Sequence, residues 1–203
     1  MSARIDVVNR ALTWMGEQPI TSLEDDSNNA LIMKANYNLS RDSLLELHEW
    51  SFAMDEWIPA VDPTPPDWVA ANRFRIPADL LRITAVEPNR SGPLPAFNDM
   101  RRSILRRPQA DYVVESGFIV TDEDAIVIRG IRKMEDEGSF SNLFCDALSA
   151  RLAMDTCFAF TEDATKWNAM SALYQVKVKE AKSRDGLQGT NRRIRNRSLE
   201  NVR

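Results

Sequence analysis

The chain holds one histidine, His48, and two cysteines, Cys145 and Cys157, so nucleophilic or metal chemistry would have to be built from very few groups. A Ser–His–acid device needs a hydroxyl or thiol beside a base that a third group orients, and no recognisable motif of that kind surrounds His48. A lone imidazole cannot build the usual metal sites either, so His48 reads as a helix-end residue beside Trp50. Cys145 and Cys157 lie twelve positions apart in a stretch that reads as one helix. That is about three turns, beyond disulfide reach, which makes them small buried thiols suited to a reduced compartment. The run TDEDA, Thr121 to Ala125, starts like a calcium loop. It lacks the glycine at the sixth position and the distal glutamate that such a loop requires, and reads as a hairpin turn with solvated carboxylates. Glu24, Asp25 and Asp26 could face a divalent cation, but they stand just before an expected helix start, where negative charge suits the helix dipole. Seven glycines supply no phosphate cradle. The expectation is a protein with no catalytic residues, no metal and no cofactor.

Two further sets of residues could bind rather than react. Trp14, Trp50, Trp57, Trp68 and Trp167, with Phe52 and Phe74, could stack nucleic-acid bases. They sit in apolar surroundings rather than among arginines, so core packing is the stronger reading. Arg101, Arg102, Arg106 and Arg107 cluster around Ile104 and Leu105, as a solvated basic face first and an interface second.

The elements that would carry these residues form three parts, and 203 residues with 43% hydrophobic content suffice for one domain or one domain with an insertion. Residues 1–54 read as a helical hairpin. Ile5, Val8, Leu12 and Met15 follow helical spacing from Ala3, and Gly16 suits the left-handed stop that ends a helix. A second helix should start at Ser27 or Asn28 and run to about Trp50 through Met33, Tyr37, Leu44 and Leu47, with Ile32, Ala35 and Leu39 widening its apolar face. Between them, Pro19, Ile20 and Leu23 should tuck into the end of the hairpin. Residues 55–137 hold nine of the ten prolines, which excludes long helices there. Leu81 to Val86 reads as a strand, and DYVV, FIVT and AIVIRGIR read as two adjacent hairpins, turning at Glu115–Gly117 and at Asp122–Asp124. Residues 138–182 return to helical spacing, with windows Phe140 to Phe158 and Thr165 to about Lys182 and a break near Phe160–Asp163. The fold class is α+β: mainly an α-helical bundle of about four helices, with an inserted small antiparallel β domain and an extended C-terminal arm.

No apolar run approaches the ~18 residues of a membrane span, and Arg4, Asp6 and Arg10 stand where a signal peptide would be apolar. A soluble protein made in a cytoplasm is expected. The net charge of -4 divides unevenly: Lys182 to Arg203 is +5 and the rest is -9. In the arm, residues 183–203, Arg192, Arg193, Arg195, Arg197 and Arg203 alternate with Ile194, Leu199 and Val202. The mixture is too polar to fold alone, yet its guanidinium groups could order on an acidic partner through bidentate pairs.

Several stretches taken together resemble a known family. ALTWMGEQPITSLEDD is similar to the N-terminal signature of the tail tubular protein A-like family, the head-to-tail adaptors of short-tailed bacteriophages. Gly16, Glu17, Pro19, Ile20, Ser22 and Leu23 occupy its Gly-Glu-x-Pro-[Ile/Val]-x-[Ser/Thr]-Leu turn. RDSLLELHEWSFA, Arg41 to Ala53, resembles the family's second helix, and FRIPADLLRITAV, Phe74 to Val86, its Leu-Pro-x-Asp-x-Leu-Arg strand entry. The stretch from Phe118 to Asp155 resembles its return into the C-terminal helix, with Phe144, Ala147, Leu148, Ala150, Leu152 and Ala153 in place. Ala70, Ala71 and Asn72 depart from it, standing where many relatives have aromatic residues.

The resemblance implies a structural virion protein: a subunit of a dodecameric ring of identical copies in the tail or neck, joining the capsid's portal to a tail tubular protein B-like nozzle and to tail fibres. Double-stranded DNA would pass through the channel without specific binding, which an acidic body favours because it offers phosphates no cationic partners. The arginines of the arm would then meet the portal or a neighbouring subunit. Two other readings compete: a head-completion connector of a long-tailed phage, and a DNA-binding module acting through the basic arm.

Overall fold

The computed structural model describes residues 3–64, 66, 70–89, 109–161 and 163–188. Arg101, Arg102, Arg106 and Arg107, Trp68, and the arginines of the arm from Arg192 onward lie outside these residues.

Among the described residues four helices, a short 3₁₀ turn and six strands follow in order: α1 (Ala3–Met15), α2 (Asn28–Glu46), β1 (Met54–Trp57), β2 (Asn72–Arg75), β3 (Leu80–Pro88), β4 (Val113–Glu115), β5 (Phe118–Thr121), β6 (Ile126–Arg132), the 3₁₀ turn Glu137–Ser139, α3 (Asn142–Thr161) and α4 (Ala164–Gln188). The expected α+β class and its four helices stand.

Helix α3 is the centre of the helical side, and α1, α2 and α4 each pack on it. The reason is compositional: Phe144, Ala147, Leu148, Ala150, Leu152, Ala153 and Cys157 are all buried, so α3 is apolar nearly all round. A helix of that kind must be covered on every side. Ser141 caps its start, its hydroxyl accepting the Phe144 N–H at 3.2 Å, as Ser27 caps α2 by accepting the Ala30 N–H at 3.2 Å. An aromatic cluster closes the end nearest the sheets. Trp50 meets Phe144 edge to face at 5.0 Å and stacks at 6.1 Å on Phe52, which meets Phe140 at 5.6 Å. The Trp50 indole N–H donates to the buried Leu44 carbonyl at 2.9 Å, as a buried indole requires.

Three expectations about the helices change. Helix α2 stops at Glu46, short of Trp50, so Leu47, read as a core position, is only its C-cap and 45% exposed, while Leu39 within the helix is 70% exposed and Ala35 exposed as well. At 3.6 residues per turn, Leu31, Ala35 and Leu39 fall opposite the face of Met33, Tyr37, Ser40 and Leu44 that meets α3. Pro19 is exposed, while Ile20 is buried and Leu23 half-buried. Helix α4 runs six residues past Lys182, to Gln188. Gly186 costs a helix only about 1 kcal/mol, and Asp185 ties this last stretch back to Ser51.

The strands make two antiparallel sheets, one in the order β1–β6–β3 and the other in the order β2–β5–β4. The first sheet is a middle layer. Its Ile131, Leu81 and Met54 join the helical core, whereas its Ile126, Ile128 and Val86 pack with Phe74 and Ile119 of the second sheet. The hairpin expected at Glu115–Gly117 forms, with Ser116 and Gly117 both at positive φ (50° and 83°) as a two-residue type I′ turn requires. The second expected hairpin does not. FIVT and AIVIRGIR are β5 and β6, each central in its own sheet, and Asp122–Asp124 crosses between layers instead of turning within one. Each of these strands already has a neighbour on both edges, so they stack and do not pair. Strands β1 and β2, four residues apiece, are too short to show an alternation in the sequence.

Candidate interaction surfaces

The Gly16–Asp26 connector is built as a rigid clamp. Gly16 adopts φ 81°, its N–H reaching Thr13 O at 3.1 Å while the Glu17 N–H reaches Leu12 O at 2.9 Å. These are the two hydrogen bonds of a Schellman stop. The Asn9 side-chain amide then holds Ile20 from both sides, donating to its carbonyl at 2.9 Å and accepting its N–H at 2.9 Å. One Asp25 carboxylate oxygen accepts the Ser22 N–H at 2.9 Å, the Thr21 hydroxyl at 2.9 Å and the Thr21 N–H at 3.1 Å. These bonds, that of Ser22 N–H foremost, hold the Asp25 carboxyl below the usual carboxylate range. Glu24 pairs with Lys34. Two of the three acidic residues thus have local structural work, which leaves Asp26 on the surface.

The residues of the strand-entry resemblance also join parts. Asp79 accepts the Trp57 indole N–H at 3.2 Å and the Arg132 Nε–H at 3.1 Å, and its carbonyl accepts the Lys133 N–H at 2.7 Å. Arg82 donates to the Glu46 carbonyl at 2.7 Å, satisfying the C-terminal end of α2 from the sheet.

His48 does stand beside Trp50, ring to ring at 4.8 Å. It also meets a group that spacing could not reveal. Asp185, 134 positions from Ser51, accepts the Ser51 hydroxyl at 2.7 Å and its N–H at 3.1 Å, and lies 3.4 Å from His48 Nε2. Serine, histidine and aspartate meet here in an order that does not activate the hydroxyl: Ser51 donates to the carboxylate, not to the imidazole. The cluster straps the end of α4 to the corner after α2.

Thr121–Ala125 also has a tying role: Asp122 accepts the Ala71 N–H at 3.0 Å and the Glu123 carbonyl accepts the Asn72 amide at 3.1 Å. Cys145 is half-buried and Cys157 buried, both free on α3, and burial pushes the Cys145 thiol up. Among the described residues no group of three or more His, Cys, Asp and Glu side chains could hold a metal ion, and no helix is long and apolar enough to cross a membrane. Of the aromatic residues, Trp50 and Phe74 are fully buried, and Trp14, Trp57 and Trp167 half-buried.

Sequence reasoning does not mark two exposed apolar surfaces. One is the outer face of α2, with Leu31 at 59% and Leu39 at 70% exposure on either side of Ala35. The other is an open groove of about 630 Å³ between the start of α3 and the end of α4, floored by Leu143, Val176 and Leu187 and edged by Lys179, Glu180 and Arg184. The i, i+4, i+8 spacing of the first is the available signal; the second joins positions more than thirty residues apart. Compared with known proteins, the chain matches no family model and no curated protein.

Proposed function

We propose that this chain is a structural protein of a short-tailed bacteriophage, an adaptor subunit that closes with copies of itself into a ring between the portal and the tail nozzle and lines the passage for DNA. The observation that carries this reading is the resemblance run itself, Gly16 to Leu23. Gly16 makes the helix stop, Glu17 completes it, Ile20 is buried and doubly clamped, Ser22 binds Asp25, and Leu23 packs on the helical core. A scaffold motif is expected to be spent on backbone geometry in this way, and Asp79 and Arg82 of the second resembling run are spent likewise. The role asks for a stiff body with surfaces that recognise a neighbour, and for no chemistry.

Electron microscopy of the purified protein mixed with its cognate portal tests the reading. A twelve-fold collar beneath the portal is expected, and a portal that stays bare at every ratio overturns it. The basic arm supplies a second reading, a DNA-binding module. Salt-dependent retention on DNA that is lost on deleting residues 189–203 would favour it over the adaptor.

A further inference from the structure

The α2 face and the α3–α4 groove are two orphan apolar surfaces of one chain. Along α2, Leu31, Ala35 and Leu39 form a ridge about 12 Å long, exposed throughout. In the groove, Val176 and Leu187 are 54% and 73% exposed and stand about 16 Å apart along α4, with Leu143 from α3 beside them. A helix ridge with i, i+4, i+8 anchors is the shape that fits a groove between two helices. Charge agrees with shape. Lys177 engages Glu180 at 3.2 Å, while Lys179 and Arg184, at the groove's edge, make no ion pair among the described residues. The same outer face of α2 ends in Glu46, whose exposed carboxylate likewise has no ion pair among the described residues. Both α2 and α4 pack on α3, and Leu31, Leu39, Val176 and Leu187 are all exposed in the single chain, so its own ridge is not seated in its own groove.

We propose that the α2 ridge of one copy docks in the α3–α4 groove of the next, with Leu31 toward Val176, Leu39 over Leu187 beside Leu143, and Glu46, about 10 Å further along α2, on the Arg184 side of the groove. The pairing rests on the ring reading above and gives it a specific contact. Ridge and groove are different surfaces, so the contact is heterologous and propagates until it closes on itself. One such contact covers little apolar area and is weak alone; closure of the ring makes it stable.

The test uses the full-length chain and two exposed substitutions, Leu39→Asp on the ridge and Val176→Asp in the groove, with circular dichroism confirming that both fold. Wild type is expected to assemble beyond the dimer with rising concentration in sedimentation velocity, and each variant to remain monomeric. Mixing the two variants at high concentration should give a weak one-to-one pair that dissociates on dilution, and nothing larger, because each retains one intact surface. Cross-linking gives a second readout: Leu39→Cys mixed with Leu187→Cys should yield a dimer joined by a disulfide between the two introduced thiols, and neither variant alone should do so. The pairing is overturned if wild type is monomeric at all concentrations, if assembly survives both aspartates, or if each cysteine variant cross-links to itself. It is also overturned if assembly appears only after residues 189–203 are removed, since the chain's own arm would then fill the groove. A portal-bound ring that forms with both aspartate variants would sink this pairing while leaving the adaptor reading in place.

Discussion

The helical side and the sheet side each wrap a central apolar element, α3 in one and β6 in the other, but they tolerate error differently. Around α3 a covering helix can rotate or slide by part of a turn and still present an apolar stripe. Around β6 a slip of one residue sends every side chain to the opposite layer. Strand β6 serves two layers at once, with Ile126 and Ile128 facing one core and Ile131 the other. Its partner β3 shifts register between Leu80 and Arg82 and again between Ile83 and Ala85, and Gly130 stands opposite these shifts. The helical side should therefore be sensitive to loss of volume, and the sheet side to backbone crowding.

The largest effect expected is at Trp50. Trp50→Ala should cost about 3–5 kcal/mol, since it empties the centre of the aromatic cluster and leaves the Leu44 carbonyl only the longer 3.4 Å bond from the Leu47 N–H. Urea unfolding would measure this, and a loss under about 1 kcal/mol, no more than an average substitution costs, would place the core elsewhere.

The same one-methyl change at two glycines separates the two sides more sharply. A Cβ at Gly130 would press on the Leu80 side chain and the Arg82 carbonyl, whereas one at Gly186 meets nothing within 4 Å. Gly130→Ala should destabilise by about 1–3 kcal/mol, the usual cost of overpacking. Gly186→Ala, in α4, should stabilise by about 0.5–1 kcal/mol. Thermal melts of the pair should move in opposite directions, and shifts of the same sign would remove the distinction between the sides.

The contrast also explains what can be read from the sequence. Helical spacing marks the four described helices, with Gly16 and Ser27 as caps of the first two and the break near Phe160 separating the last two. Strand runs mark β3 to β6, yet Asp122–Asp124 reads as a hairpin turn because an apolar run shows that a strand is buried without showing which strand it pairs with. The α2 face misleads for a related reason: Leu31, Ala35 and Leu39 follow helical spacing as well as Met33 and Tyr37 do, and only the position of α3 decides which stripe is covered. Asp185 with His48 and Ser51, and the groove of Leu143 with Val176 and Leu187, depend on tertiary contacts that no local pattern encodes. The arginines expected to meet a partner lie outside the described residues.

A smaller effect belongs to the connector. Asn9→Ala removes both hydrogen bonds to the Ile20 backbone and should cost about 1–2 kcal/mol. Hydrogen exchange should show the loss first at residues 17–23, with α3 unaffected at early times. Uniform loss across α1 and α3 would mean that the clamp is part of the global core.

The smallest effect expected is at Asp25, and it depends on pH. Its carboxyl is held below the usual range by the Ser22 N–H and the Thr21 hydroxyl, so the folded state favours the carboxylate. The resulting stabilisation is fully present above the pKa of the unfolded chain, about 3.9 for an aspartate, and is lost as pH falls through the lower folded value. Asp62 and Asp163 are held down in the same direction by the N–H groups of Thr64 and Thr165, so wild type alone cannot isolate Asp25. Comparison with Asp25→Asn does, because the amide keeps an acceptor at the turn but cannot titrate. The two proteins should differ most in Tm near neutral pH and converge as pH falls below about 4, as the Asp25 carboxyl takes up its proton. A difference that stays constant over the whole range would show that Asp25 acts only through the shape of its side chain, and that its charge contributes nothing to the clamp.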